Sequence, residues 1–369
     1  MHRQPINANT LRKLDLYILR KFLGTFFFSL LLIMSIAVVF DFTEKIDDFI
    51  SKGAPIKAIV FDYYLNFIPY FANLFTPLFI FISVIFFTSK MAYQSEIIAI
   101  LSSGVSFRRM MFPYFLGALI IGLFSFTLGA FVIPNANVTR LKFETTYVKN
   151  KRESGLSNLH MQISPGTFIY LYRFYSLTET GDFFTIESFD GKRLKSKLTA
   201  QSIVYDTTDG SWILKDYLIR DFNADNSMKI SKGEKIDSML NLKPSDFKIE
   251  RNYYETMTNP RLNAYIDEQR NRGVGNIEEF VIEKYKRIAS PFSAFILTLI
   301  GVSLASRKTR GGMGLHIGTG IGLSFTYILF MTVSTTFAIS GSMNSLLAVW
   351  LPNIVFAFIG LYLYKKAPK

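Results

Sequence analysis

The stretch "SKMAYQSEIIAILSSGVSFRRMMFPYF", Ser89–Phe115, joins two long apolar runs and shows most directly how the chain folds. Tyr63–Phe87 precedes it and Met110–Ile133 overlaps its end, and neither run contains Asp, Glu, Lys or Arg. Each is close to or above the roughly 20 residues that a helix needs to cross a hydrocarbon core of about 30 Å. The sequence therefore predicts that the chain crosses a membrane, leaves it for a short connection with one glutamate, and crosses it again.

Four further runs have the same composition, in a chain that is 50% hydrophobic and 16% aromatic. They are Phe22–Phe40, Ile288–Leu304, Met313–Ile339 and Leu346–Tyr364. Hydrocarbon cannot satisfy free backbone groups, so such runs must be helical. Six buried helices of this length would not fit a soluble domain of this size. We predict an α-helical polytopic membrane protein with six transmembrane helices, arranged three plus three.

The charges predict the orientation. Fourteen basic residues but only two acids, Asp15 and Glu96, lie in four segments that the six spans place on one side. These segments are residues 1–21, 89–109, 305–312 and 365–369. The rest of the chain is nearly neutral, so almost all of the net charge of +13 lies on that side. By the positive-inside rule it is the cytoplasm, with both termini inside. The basic composition is thus a topology signal, and nucleic-acid binding loses its main support.

The same topology places Ile133–Arg287 outside as one large insertion. "TFIYLYRFY", Thr167–Tyr175, alternates like a strand. Asp190-Gly191 and Asp209-Gly210 are favoured hairpin dipeptides between further strand-like segments. This pattern predicts an inserted antiparallel β-domain, a sandwich or a jelly roll, followed by a connecting helix from Asn259. We expect three parts: residues 1–133, 134–275 and 276–369.

The alternation in the first of these strands places four aromatic side chains on one face of it. They are Phe168, Tyr170, Tyr172 and Phe174. This row could line a groove for acyl chains, or it could form the core of the domain. The residues leave both interpretations open.

Enzyme chemistry finds little support. The chain has no cysteine, and His2, His160 and His316 lie far apart, so we expect neither a metal site nor catalytic residues. No segment fits the phosphate-binding loop G-x-x-x-x-G-K-[ST], so energy must come from a partner. The spans hold no carboxylate, which argues against a secondary transporter. A membrane-embedded lipid-modifying transferase stays the alternative, although the base or nucleophile it needs at the membrane surface is not evident.

Gly314, Gly318 and Gly322 form a G-x-x-x-G-x-x-x-G row in the fifth span. Such a row is a close-packing face for a neighbouring helix. It could pack within this chain or against another one.

The connection itself is predicted to be helical over about residues 91–104. Ala92, Glu96, Ala99 and Ser103 then lie on one side, spaced by three or four residues. Small neighbours leave the Glu96 carboxylate accessible, and Ile100 beside it suits a groove on another protein. The other possibility is a solvated charge that keeps the loop soluble.

Several segments carry a family resemblance along essentially the whole chain. "EKYKRIASPFSAFILTLIGVSLASRKTRGG" (Glu283–Gly312) resembles the fourth span and following loop of the lipopolysaccharide-export permeases, the LptF/LptG or YjgP/YjgQ family. "LAVWLPNIVFAFIGLYL" (Leu347–Leu363) resembles the sixth span, and "SEIIAILSSGVSFRR" (Ser95–Arg109) the connection between spans two and three. "LDLYILRKFL" (Leu14–Leu23) and the modest insertion resemble the LptG branch more than the LptF branch.

The resemblance implies a role in the inner membrane of a bacterium, with the β-domain in the periplasm. Similar proteins form a heterodimer with an LptF-like paralogue, bound to two copies of the ATPase LptB and to LptC. The assembly extracts lipopolysaccharide from the outer leaflet and passes it to a periplasmic β-jelly-roll bridge. ATP and Mg²⁺ would be used by the ATPase, and this chain would bind no cofactor.

The resemblance also implies that the connection is the coupling helix that docks into the ATPase. The candidate docking residues are Glu96, Ile97, Ala99, Ile100, Ser103 and Arg108. Candidates for lipid phosphates are Lys45, Arg140 and Lys142; Asp41 stands where the family pattern leads us to expect a lysine. Asp41 and Lys45 could equally be an i,i+4 pair that stabilises the helix. Arg140 and Lys142 could be ordinary interfacial anchors.

Overall fold

The computed structural model describes most of the chain in two compact units, Met1–Val148 with Val281–Lys369, and Lys149–Phe280. The described residues are 13–148, 157–175, 178–207, 209–223, 227–240, 242, 244–247, 253–271, 277–307 and 312–367. The basic positions 308 and 310 of the predicted connection 305–312 therefore lie outside the described residues.

The described residues of the first unit form six long helices, each long and apolar enough to cross a membrane. They are α1 (Lys13–Ser51), α2 (Ile56–Tyr93), α4 (Phe107–Tyr147), α6 (Glu278–Ala305), α7 (Gly312–Ile339) and α8 (Ser345–Lys366). A short helix, α3 (Glu96–Ser102), lies between α2 and α4. Each predicted apolar run falls within one long helix, so the prediction of six spans is confirmed.

One of these helices, α4, continues well past the end of its apolar run. The run predicted to end at Ile133 lies in α4, which extends to Tyr147 through a π-helical turn at Leu128–Val132. The first compact unit accordingly reaches Val148 and resumes at Val281, whereas we expected divisions after residues 133 and 275. Ion pairs between charged residues can stabilise a helix beyond its apolar run. The length of the apolar run therefore does not predict where the helix ends.

A narrow apolar stripe attaches α1 to the bundle. Its buried members recur every fourth residue: Ile18, Phe22, Phe26, Leu30 and Met34. Phe22 stacks on Phe87 of α2 at 5.9 Å and packs against Tyr114 of α4 at 6.4 Å between ring centroids. Much of the rest of α1 faces outward, including Phe28 and Leu31.

Hydrogen bonds between helices pair polar groups inside the bundle. Tyr327 donates to Asn353 Oδ1 at 2.9 Å, and Asn353 Nδ2 donates to the Ala289 carbonyl at 3.2 Å. Ser125 donates to Asn73 Oδ1 at 2.6 Å. These bonds satisfy groups that hydrocarbon would leave unpaired.

Within the described part of the second unit, the strands form one six-stranded antiparallel sheet in the order β1-β2-β3-β4-β5-β6. The strands are β1 (Ser157–Ser164), β2 (Thr167–Tyr175), β3 (Thr180–Asp190), β4 (Arg193–Asp206), β5 (Ser211–Phe222) and β6 (Met228–Ser238). Gly191 and Gly210 have φ values of 60° and 67° in the turns that join β3 to β4 and β4 to β5. Both predicted hairpins are confirmed, as is a connecting helix, α5 (Asn259–Asn271). The chain is thus a polytopic helical protein with an inserted β-domain.

One face of the sheet forms the core of this unit. Trp212, Phe174 and Phe184 are each 0% exposed, and Phe247 from the segment after β6 packs against Trp212 at 5.5 Å between ring centroids. The Trp212 indole donates to the Leu242 carbonyl at 2.9 Å. Leu242 and Phe247 therefore cover part of the inner face.

The expectation that the four aromatic residues of β2 share a face is wrong. Ile169 and Leu171 take the inward positions first, and Phe174 takes the next one, while Phe168 and Tyr172 are both 41% exposed. Tyr170 is half-buried.

The alternation shifts by one residue because a row of unpaired positions crosses the sheet. In each strand, one residue on this row has no partner in the register with the neighbouring strand. The row comprises Asn158, Tyr172, Phe183, Gln201, Asp216 and Glu234. Asn158, Phe183 and Asp216 have φ values of 56°, 52° and 51°. A left-handed residue within a strand reverses which side chains point inward beyond it.

Candidate functional site

The connection between α2 and α4, residues 94–106, holds the only short helix of the helical unit among the described residues. α2 continues to Tyr93, and Ser95 then adopts a left-handed conformation with φ of 61° before α3 begins at Glu96. Ala92 is therefore in α2, buried at 3% exposed, and does not share a helical face with Glu96. The helix predicted from about residue 91 is in fact two helices separated by this turn.

The side chains of α3 divide between an inward and an outward side. Ile97 is 1% exposed and packs in the bundle core, so it anchors α3 to its own chain. Ile98 is 54% exposed, Ala99 and Ser103 are exposed, and Ile100 is half-buried. Ile98 is thus the accessible apolar side chain. The spacing of Ile97 and Leu101 by four residues is a signal that could have identified the inward side.

Glu96 lies at the start of α3 and is half-buried. The hydroxyl of Tyr17 on α1 donates to Glu96 Oε2 at 3.1 Å. An acidic residue in the first turn suits the positive end of the helix dipole. The carboxylate is therefore oriented by its own chain. Arg108, further along the chain, is exposed.

A buried ion pair joins α1 to the start of α4. Arg109 donates from Nη1 to Asp15 Oδ1 and from Nη2 to Asp15 Oδ2, both at 2.6 Å. Asp15 is 1% exposed, whereas the Arg109 side chain is 32% exposed. The pair was not predicted from the sequence, because Asp15 and Arg109 belong to separate charged segments. An acid three residues before the apolar stripe of α1 is the signal that could have found it.

Lys45 and Asp41 belong to a polar cluster further along α1. Lys45 Nζ lies 2.6 Å from Asp41 Oδ1, which confirms the i,i+4 pair. Tyr64 donates to Asp41 Oδ2 at 3.2 Å, and the Tyr63 hydroxyl contacts both Lys45 and Asp41. Asp41 therefore holds Lys45 and two tyrosines in a part-buried network.

Arg140 and Lys142 differ sharply in accessibility. Arg140 is 6% exposed, and its guanidinium contacts Asn137 at 3.1 Å, Glu144 at 3.5 Å and the ring of Tyr70 at 4.6 Å from the centroid. Lys142 is exposed. Lys142 is thus the more accessible cation of the two.

The glycine row of α7 meets no neighbour among the described residues. A Cβ at Gly314, Gly318 or Gly322 would have nothing within 4 Å. Gly320, by contrast, faces α2, and a Cβ there would lie 2.2 Å from Ile85. Within the described part of the chain, close packing uses Gly320 and leaves the row open.

Among the described residues, no group of three or more His, Cys, Asp or Glu side chains is placed to hold a metal ion.

Six membrane-length helices with a β-domain inserted between the third and fourth define a multi-pass membrane protein. The sequence profile of the lipopolysaccharide export system permease LptF/LptG matches residues 16–366, so the chain belongs to that family. It is accordingly a lipopolysaccharide export permease, and membership implies an export complex with other Lpt subunits. No protein with a curated description matches the chain significantly.

Proposed function

We propose that the chain is an LptG-like transmembrane subunit of an ATP-driven exporter in the inner membrane of a bacterium. It pairs with an LptF-like paralogue and is driven by an LptB-like ATPase dimer, which uses ATP and Mg²⁺. The complex extracts lipopolysaccharide from the outer leaflet and passes it to an LptC-like protein and the periplasmic β-jelly-roll bridge. One observation carries this proposal: α3 exposes Ile98, Ala99 and Ser103, and a hydrogen bond from Tyr17 of α1 orients Glu96 beside them.

The docking surface consists of Glu96 with the outward residues of α3. Ile97 anchors the helix from inside, which leaves Ile98, Ala99 and Ser103 accessible, with Ile100 half-buried beside them. An accessible apolar side chain next to one oriented charge is the composition of a small interface centre. The ATPase supplies a basic side chain to Glu96, and Arg108 lies near enough along the chain to extend the contact or to meet lipid headgroups.

The lipid phosphates bind near the C-terminal ends of α1 and α4. The charge pattern predicts that these ends lie on the periplasmic side. Lys142 is exposed and makes the first contact. Lys45 and Arg140 are held by Asp41 and Glu144, and an incoming phosphate would compete with those carboxylates for them. The carboxylates keep the cations oriented in the absence of lipid.

The β-domain handles the acyl chains after extraction. Phe174 lies in the apolar inner face of the sheet, while Phe168, Tyr170 and Tyr172 lie elsewhere on β2. Phe174 packs against Trp212 and Phe247 in the core, so Phe168 and Tyr172, both 41% exposed, are the members of the row that acyl chains can reach. The open glycine row of α7 is the seam for the LptF-like paralogue, since small residues allow close approach of helices.

Copurification in mild detergent tests the proposal. The wild-type chain, tagged and expressed with its native partners, should retain an ATPase subunit, and Glu96→Lys should lose it. Truncating or reversing a paired interface charge costs about 2–5 kcal/mol, which is more than a tenfold loss of affinity. Glu44→Lys is the matched control, because Glu44 is an exposed acid at the other end of α1. Retention of the ATPase by Glu96→Lys would remove Glu96 from the interface.

A further inference from the structure

α1 is fastened at two points, one at the start of α4 and one on the α2–α4 connection that directly precedes it. The first is the bidentate contact between Asp15 and Arg109, with both N–O distances at 2.6 Å. The second is the hydrogen bond of 3.1 Å from Tyr17 to Glu96. Residues two apart in an α-helix project about 200° apart. The two contacts therefore hold the start of α1 from nearly opposite sides.

The position of Asp15 is unusual for a charged residue. It continues the buried stripe of α1, three residues before Ile18, where an apolar side chain would pack without any desolvation cost. Arg109 is the third residue of α4, where a positive charge is unfavourable to the helix dipole. Arg109 is therefore not the choice that local helix stability favours, and Asp15, although an acid suits the first turn of a helix, carries the desolvation cost of a buried charge. What the pair provides is a directional attachment between two elements, because a guanidinium and a carboxylate fit in a single planar arrangement.

The rest of α1 has few buried contacts, so it can move when the start of the helix is displaced. In the most apolar window of α1, 22% of the residues are buried, compared with 56% in the corresponding window of α2. The buried contacts form one stripe, with large side chains such as Phe28 and Leu31 facing outward. A long helix held along one stripe can tilt or rotate more easily than one surrounded by neighbours.

We propose that Asp15 and Arg109 are positioning residues for transport, which transmit displacement of the docking connection into α1. This inference rests on the proposed function, since the displacement comes from the docked ATPase. When the connection and the adjoining start of α4 move, the ion pair moves the start of α1 with them. The hydrogen bond from Tyr17 keeps Glu96 in the same position relative to α1. α1 and the connection then move as one body.

Charge exchange separates this role from mere stability. The complex is reconstituted with its ATPase, and the lipopolysaccharide extracted per ATP hydrolysed is measured. Asp15→Arg and Arg109→Asp should each lower this ratio by about tenfold while the ATPase stays bound, and the double exchange should restore most of it. Arg20→Asp is the matched control, because Arg20 is an exposed cation of α1. An unchanged ratio in both single variants would overturn the proposal, as would a double exchange that restores nothing.

A measurement on the otherwise native chain covers the case in which the single variants fail to assemble. The chain has no cysteine, so spin labels can be attached at Cys substitutions of Leu16, Ser102 and Leu361, taken in pairs. All three positions are exposed. Across the ATPase cycle, the distance from 16 to 102 should stay constant while that from 16 to 361 changes. A changing distance from 16 to 102 would overturn the inference. Absence of the ATPase from the wild-type complex would instead contradict the proposed function.

Discussion

Phe22 of α1 occupies the space directly over Gly117 of α4. A Cβ at position 117 would lie 2.4 Å from Cδ1 of Phe22, far inside van der Waals contact. The Phe22 ring is 0% exposed and stacked on Phe87, so it cannot turn away easily. The close approach of α1 to α4 therefore depends on glycine.

Gly117→Ala should consequently destabilise the helical unit. Overpacking of a filled core costs about 1–3 kcal/mol, so the thermal midpoint in detergent should fall by several degrees. Gly24→Ala on α1 is the control, because a Cβ at position 24 meets nothing within 4 Å among the described residues. Equal midpoints for the two variants would show that Phe22 yields without cost.

Asp216 should require its left-handed backbone. Its φ of 51° lies in the row that shifts the strand alternation. Left-handed backbone costs most non-glycine residues about 1–2 kcal/mol, so Asp216→Val should destabilise the β-domain, whereas Asp216→Gly should be neutral or stabilising.

Resistance of the full chain to limited proteolysis within residues 157–240 measures this effect. Lys215→Val is the control, since the neighbouring position keeps the regular pairing. Faster cleavage of the glycine variant than of the valine variant would contradict the assignment.

The six spans could be read from the sequence because hydrocarbon imposes one solution on every charge-free run of that length. The hairpins at Gly191 and Gly210 could also be predicted from the sequence, since the residue preferences of a tight turn are local. The side of the sheet on which Phe168 lies could not be predicted, because it depends on left-handed residues in the neighbouring strands. Asparagine and aspartate at positions 158 and 216 tolerate that conformation and were a weak hint, but Phe183 gives none.

The candidate site was predictable only in part. Glu96 stands out as the one acid of its connection, and the pairing of Asp41 with Lys45 follows from helical spacing. The pairing of Asp15 with Arg109 joins residues 94 positions apart, so the sequence marks Asp15 as an unusual acid but does not identify its partner. The four-residue spacing of Ile97 and Leu101 indicates the inward side of α3, but the packing of Ile97 in the bundle core is seen only in the structure.

Lys142 should contact lipid before Arg140 does. A photo-cross-linking amino acid at position 142 should capture lipopolysaccharide in membranes, because the native side chain is exposed there. The same amino acid at position 140 should capture much less, because Arg140 is 6% exposed among Asn137, Glu144 and Tyr70. Stronger capture at position 140 would mean that the phosphate enters the buried network directly.

α3 must lie on the cytoplasmic side of the membrane, because the ATPase can act on the connection only from the cytosol. Ser102→Cys introduces one thiol into a chain that has none, at an exposed position. A membrane-impermeant maleimide should label it in inside-out vesicles and leave it unlabelled in intact spheroplasts. Met239→Cys, at a position 90% exposed after β6, should show the opposite pattern. Labelling of the Ser102→Cys variant in intact spheroplasts would contradict the account.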